Sequence, residues 1–141
     1  NIGRAVSLRV DDRIKALLLV PNNQLATAKA RKLLPEIIPH QDAVLNSSRT
    51  ALLVHALAER PDLLFIATED LLHQKYRAQA MPKTIALVEK LRGAGLAAVV
   101  SGAGPSVMVL YSGAEDEIDQ LESVSPGFTA MKLAIAKIGA Q

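Results

Sequence analysis

The hydrophobic pattern changes half-way along residues 4–21, RAVSLRVDDRIKALLLVP. Val6, Leu8 and Val10 alternate with polar positions, the period of a half-buried strand, whereas ALLLV (residues 16–20) is continuously apolar, as in a central strand. Two strands joined at Asp11–Asp12 are therefore expected, with a break at Pro21-Asn22-Asn23. QLATAKARKLLP (24–35) is rich in helix formers and stops at Pro35. After the connector PEIIPHQ, Asp42 suits the N-cap of a long helix over 43–60, with Val44, Leu45, Ala51, Leu52, Val54 and Leu57 among its apolar positions. Pro61 suits the first turn of a helix over PDLLFIATEDLLHQKY (61–76). A fourth helix begins near Pro82, carries Ile85, Val88 and Leu91 on one side, and ends at Gly93 or Gly95. Strands follow at about 97–101 and 106–111, then a short acidic helix AEDEIDQLES and a last strand in GFTAMKLAIA (127–136). The order β-β-α-α-α-α-β-β-α-β predicts an α+β fold: an antiparallel sheet of about four to five strands with helices packed on one face.

Composition narrows the function classes. Half of the 141 residues are apolar, but there are two Phe, two Tyr and no Trp, so the core is aliphatic. The length suits one domain. Sixteen basic residues face fourteen acidic ones; they are scattered and lack stacking aromatics, which argues against nucleic-acid binding despite a pI near 9.1. No run is long and apolar enough for a membrane span, and Arg4, Arg9, Asp11 and Asp12 interrupt any leader-like stretch. With no Cys there is neither disulfide nor thiolate chemistry. A cytoplasmic protein is expected, and an oligomer is compatible with the sequence. The opening NIGR reads either as native chain or as a remnant of cloning.

The loop SGAGPS, residues 101–106, lies between two apolar runs. A phosphate cradle of the Walker or dinucleotide type needs a helix next, whose N-terminus supplies N–H groups and a positive dipole end. Here VMVLY follows, which is strand-like, and no Lys follows the glycines. The plain reading is a hairpin turn. Two glycines and an alanine nonetheless leave more bare backbone than a hairpin needs, which suits close approach by another backbone or a ligand. His40, His55 and His73 have no second ligand at metal spacing, and no metal site is expected. His55 reads as a core or semi-buried residue. His73 stands four residues before Arg77. Glu69–Asp70 and the run Glu115–Glu117 read as caps and solvated faces.

SGAGPS resembles the third signature motif of the GHMP kinases, a superfamily of small-molecule kinases. LATAKARKLLP (25–35) and LHQKYRAQAMP (72–82) are similar, in the right order, to two segments of the homoserine kinases within it; Lys29 and Lys75 depart from the common forms. The resemblance implies the ferredoxin-like C-terminal domain of that superfamily, with the family's substrate-binding Thr and two Arg falling on Thr27, Arg31 and Arg77. The chemistry agrees: an amino-acid carboxylate takes a planar guanidinium well, and Thr27 and Arg31, four apart on a helix, share a face. The resemblance further implies that Ser101, Gly102, Ala103, Gly104, Pro105 and Ser106 support a phosphate loop located elsewhere.

The superfamily's own cradle, of the form Pro-x-x-x-Gly-Leu-Gly-Ser-Ser-Ala, does not occur in residues 1–141, nor does its first motif. The chain is accordingly expected to be one C-terminal domain lacking the nucleotide-binding half, with catalytic residues and metal ligands in that half and no activity alone. The parent enzyme, on this resemblance, uses ATP and Mg to phosphorylate L-homoserine, and threonine is a candidate feedback ligand. Two alternatives stay open: a non-catalytic amino-acid-binding module, and another GHMP kinase acting on a sugar or isoprenoid alcohol.

Overall fold

The computed structural model describes residues 7–22, 30–113, 118, 121 and 125–136. Four strands, β1 (Ile14–Pro21), β2 (Ala97–Val100), β3 (Val107–Ser112) and β4 (Phe128–Leu133), form one sheet in the order β2-β3-β1-β4. Every neighbouring pair is antiparallel. Between β1 and β2 lie α1 (His40–Ala58), α2 (Leu64–Ala67), α3 (Gln74–Arg77) and α4 (Pro82–Gly93). This is the expected antiparallel α+β architecture, with four strands, but helices cover both faces of the sheet rather than one.

The continuous apolar run earns its central place. Leu17 and Leu19 are fully buried and pair across to Val109 and Val107 on β3. Side chains alternate along strands, so these four share one face. Leu87, Val88 and Leu91 of α4, with Ile118 and Leu121, cover that face. Burying each large aliphatic side chain there contributes about 1.5–3 kcal/mol. On the opposite face the cover gathers at one end, where Ile14 and Ala97 meet Ala56, Leu64 and Ala67.

The expected first strand is absent at residues 7–10, which carry no regular structure. Both edges of β1 are taken by β3 and β4, so no ladder position remains beside it. The chain instead turns at Asp11–Arg13. The Asp11 carboxylate accepts from the Arg13 backbone N–H at 2.9 Å and from its Nη2 at 2.6 Å, and Ile14 N donates to the Asp11 carbonyl. Val10 packs against the second apolar cluster.

The helix expected over 61–76 is broken. A 3-10 turn at Pro61–Leu63 leads into α2, and α3 begins only at Gln74. Two side chains cause the break. Thr68 Oγ1 donates back to the Leu64 carbonyl at 2.8 Å. The Asp70 carboxylate then accepts from the backbone N–H groups of Leu72, His73 and Gln74, starting a new turn. Asp42 is likewise not the N-cap of α1. That helix starts at His40 behind Pro39, and Asp42 in its first turn pairs with Lys75. The end of α4 is as expected: Gly95 has φ +84°, its N–H reaches Arg92, and Leu96 N–H reaches Leu91, a Schellman cap.

The helix expected over 24–35 is described only at its end, where Ala30 and Arg31 are helical. The acidic helix is described at Ile118 and Leu121, both helical and buried. No helix among the described residues is long and apolar enough to cross a membrane.

Candidate functional site

The 70–77 segment places Arg77 inside the protein. Its side chain is only 6% exposed. The guanidinium Nε donates to the Ala30 carbonyl and Nη1 to the Gly102 carbonyl, each at 3.2 Å. Among the described residues no acidic side chain pairs with it. A guanidinium so placed has lost much of its hydration, and its hydrogen-bond partners among the described residues are uncharged carbonyls, so an anion beside it is favoured.

A cavity of about 440 Å³ opens against this group along the β2 edge, lined by Arg31, His73, Gln74, Arg77, Gly102 and Ala103 among others. The structure thus brings together Arg31, Arg77 and part of the 101–106 loop. Arg31 is exposed and Arg77 buried, so one cation is free to reach a ligand and the other is fixed. Thr27 and Lys29 lie outside the described residues. Lys75, at the other departure from the family form, sits over the Tyr76 ring at 5.0 Å besides pairing with Asp42.

Residues 101–106 form the hairpin between β2 and β3. Ser101 N–H donates to the Ser106 carbonyl at 2.8 Å and Gly104 N–H to the Ser101 carbonyl at 3.0 Å. The Gly104–Pro105 peptide is cis. Gly104 has φ +83°, and a Cβ there would stand 2.6 Å from Met81 Sδ, so both backbone shape and packing demand glycine. Thr84 Oγ1 at the start of α4 holds the Pro105 carbonyl at 2.7 Å. The loop is therefore clamped twice, by Thr84 below and by Arg77 from the cavity side. Gln74 closes the adjoining edge, its Oε1 accepting from Val100 N–H at 2.8 Å.

Two other features depart from or extend the sequence reading. His55 is exposed on α1, 3.8 Å from Glu59, rather than a core residue, because α1 turns that face to solvent. Arg92 carries a role that composition did not signal. It donates to Thr68 Oγ1, the Ala98 carbonyl and the Phe65 carbonyl, and stacks 4.4 Å over the Phe65 ring. Burial pushes its pKa below the ordinary value, with Glu69 acting in the opposite sense.

Residues 48–125 match the family model for the C-terminal domain of GHMP kinases. The chain is 48% identical over 139 residues to a homoserine kinase of Streptomyces coelicolor, covering 98% of this chain and 44% of that protein. It is 56% identical over 109 residues to a homoserine kinase of Leifsonia xyli, covering 77% of this chain and 34% of that one. The chain thus spans less than half the length of these curated relatives. Its fold is shared with a crystal structure of homoserine kinase from Cytophaga hutchinsonii, at TM-score 0.72 and 20% identity, over 93% of this chain and 44% of that one. This chain, with its antiparallel sheet, glycine hairpin and buried Arg77, belongs to the GHMP kinase C-terminal domain family.

Proposed function

We propose that the protein carrying this chain is a homoserine kinase and that this chain is its substrate-side C-terminal domain. The carrying observation is Arg77, a buried guanidinium without a carboxylate partner among the described residues, lining one cavity with Arg31. Two guanidinium groups suit the carboxylate of an amino acid better than an uncharged sugar. The relatives' names supply the substrate, L-homoserine, and the kinase family supplies ATP.

In this reading Thr27, Arg31 and Arg77 hold the amino-acid end, so that the side-chain hydroxyl faces the nucleotide. The hydroxyl oxygen bonds to the γ-phosphorus of ATP, the bond from that phosphorus to the β–γ bridging oxygen breaks, ADP leaves, and the hydroxyl proton is released. The product is O-phospho-L-homoserine, a precursor of threonine. Such transfer depends mainly on positioning and charge neutralisation. The 101–106 hairpin buttresses the phosphate cradle, which this chain does not supply, since β3 rather than a helix follows its glycines. L-Threonine, of similar size and with the same ammonium and carboxylate, competes for the same clamp.

The test is kinetic. In the full-length protein, Arg31→Ala and Arg77→Ala are expected to raise KM for L-homoserine tenfold or more, with KM for ATP less affected in Arg31→Ala. Full activity on L-homoserine in both variants would refute the carboxylate clamp. Inhibition competitive with L-homoserine is expected from L-threonine, and its absence removes that part of the reading. The 141-residue chain alone is expected to show no turnover.

A further inference from the structure

We propose that His73, oriented by Asp70, recognises the ammonium group of the bound amino acid. The inference rests on the amino-acid reading of this cavity and adds a second point of recognition to it.

His73 Nδ1 lies 2.8 Å from Asp70 Oδ1. A carboxylate offers only acceptors, so this contact places a ring proton on Nδ1, and in the neutral ring the lone pair is then on Nε2. The Asp70 carboxylate itself is engaged by the N–H groups of Leu72, His73 and Gln74 and is mostly buried, so it is fixed and orients the ring. His73 and Arg77 are i and i+4, and Arg77 N–H donates to the His73 carbonyl, which puts both side chains on one wall of the cavity.

Acceptors are scarce on that wall. Gln74 Oε1 is turned inward to Val100 N–H and Asp70 is saturated by backbone donors. Among the described polar side chains lining the cavity, His73 Nε2 is the nitrogen acceptor with no hydrogen bond to another described residue. Two guanidinium groups alone favour any carboxylate. An imidazole lone pair beside them favours a carboxylate with a hydrogen-bond donor on the neighbouring carbon, which is an α-ammonium group. His73 thereby separates amino acids from their des-amino analogues.

The experiment compares L-homoserine with 4-hydroxybutyrate, which keeps carboxylate and hydroxyl but has no ammonium. Both are titrated calorimetrically into the full-length protein, its His73→Phe variant and its Arg77→Ala variant. The wild type is expected to prefer L-homoserine at least tenfold. His73→Phe is expected to bind the two ligands alike, with 4-hydroxybutyrate unchanged within twofold. The His73 Nε2 nitrogen resonance, assigned by its loss in the variant, is expected to shift with L-homoserine and not with 4-hydroxybutyrate. Undiminished preference in His73→Phe, with binding still lost in Arg77→Ala, overturns the role of His73 and leaves the carboxylate clamp standing. Binding of both ligands untouched by Arg77→Ala, or no binding of either by the wild type, overturns clamp and inference together.

Discussion

Arg77 and Gly102 are tied by a hydrogen bond from the guanidinium Nη1 to the carbonyl oxygen at 3.2 Å. The same guanidinium reaches the Ala30 carbonyl through Nε. One side chain thus spans from the end of the Arg31 helix to the glycine hairpin. Arg77→Lys keeps the charge but has no fork with which to hold both carbonyls. It is expected to raise KM for L-homoserine and KM for ATP together in the full-length protein. Arg31→Lys is expected to raise only the first. Steady-state kinetics varying each substrate separate the two outcomes.

Gly104 and Gly102 both have positive φ, but only Gly104 faces a neighbour. Gly102→Ala is expected to cost about 1 kcal/mol, the left-handed penalty alone. Gly104→Ala adds the clash with the buried Met81 and is expected to cost about 2–4 kcal/mol. Urea denaturation of the two variants checks the order. Equal losses would show that Met81 yields freely.

Arg92 and Thr68 share a hydrogen bond that joins α4 to the end of α2. Thr68→Val removes the hydroxyl while keeping its volume, and Arg92→Lys removes the fork and much of the stacking on Phe65. Each is expected to destabilise by about 1–3 kcal/mol. A double-mutant cycle is expected to show losses smaller than additive, because both variants break one contact. Strict additivity would mean that the Thr68–Arg92 bond contributes nothing.

The Asp11–Arg13 turn predicts an acid response. The Arg13 side-chain hydrogen bond, aided by the Arg13 backbone N–H, holds the Asp11 carboxyl at about 2, below its ordinary 3.8. A lowered folded-state pKa stabilises fully above the ordinary value, and that stabilisation is lost as pH falls through about 2. Asp11→Asn is expected to remove this contribution, so the wild type loses its advantage over the variant across that window. Thermal unfolding at stepped pH measures it; parallel pH profiles would contradict the assignment.

Much of the frame was legible because strong local signals agree with the tertiary fold. ALLLV could scarcely be other than a central strand, and Pro82 and Gly95 bracket α4 as their backbone preferences dictate. Two of the misreadings, the first strand and the helix over 61–76, share a cause, side chains bonding to the backbone. Thr68 and Asp70 end and restart a helix that hydrophobic spacing alone would continue, and Asp11 folds the chain away from a strand that alternation suggests. The candidate site was singled out by resemblance, and of its residues the structure brings Arg31, Arg77, Gly102 and Ala103 to one cavity. Nothing in the periodicity distinguishes Arg77, which is buried, from Arg31, which is not, and Arg92 gave no signal because its partners are carbonyls contributed by distant segments.

The central place of β1 also governs how the molecule assembles. Ile14 pairs with Ser112 and Ala16 with Leu133, so β1 finds its partners only far along the sequence, in β3 and β4. Closing such long loops costs entropy before any pairing repays it, which slows folding relative to a helical bundle of this size. During synthesis ALLLV emerges before β3 and β4 and waits for them, an uncharged β-prone segment of the kind that self-associates when exposed. The strand that anchors the finished sheet is therefore the segment most in need of shelter while the sheet is still being made.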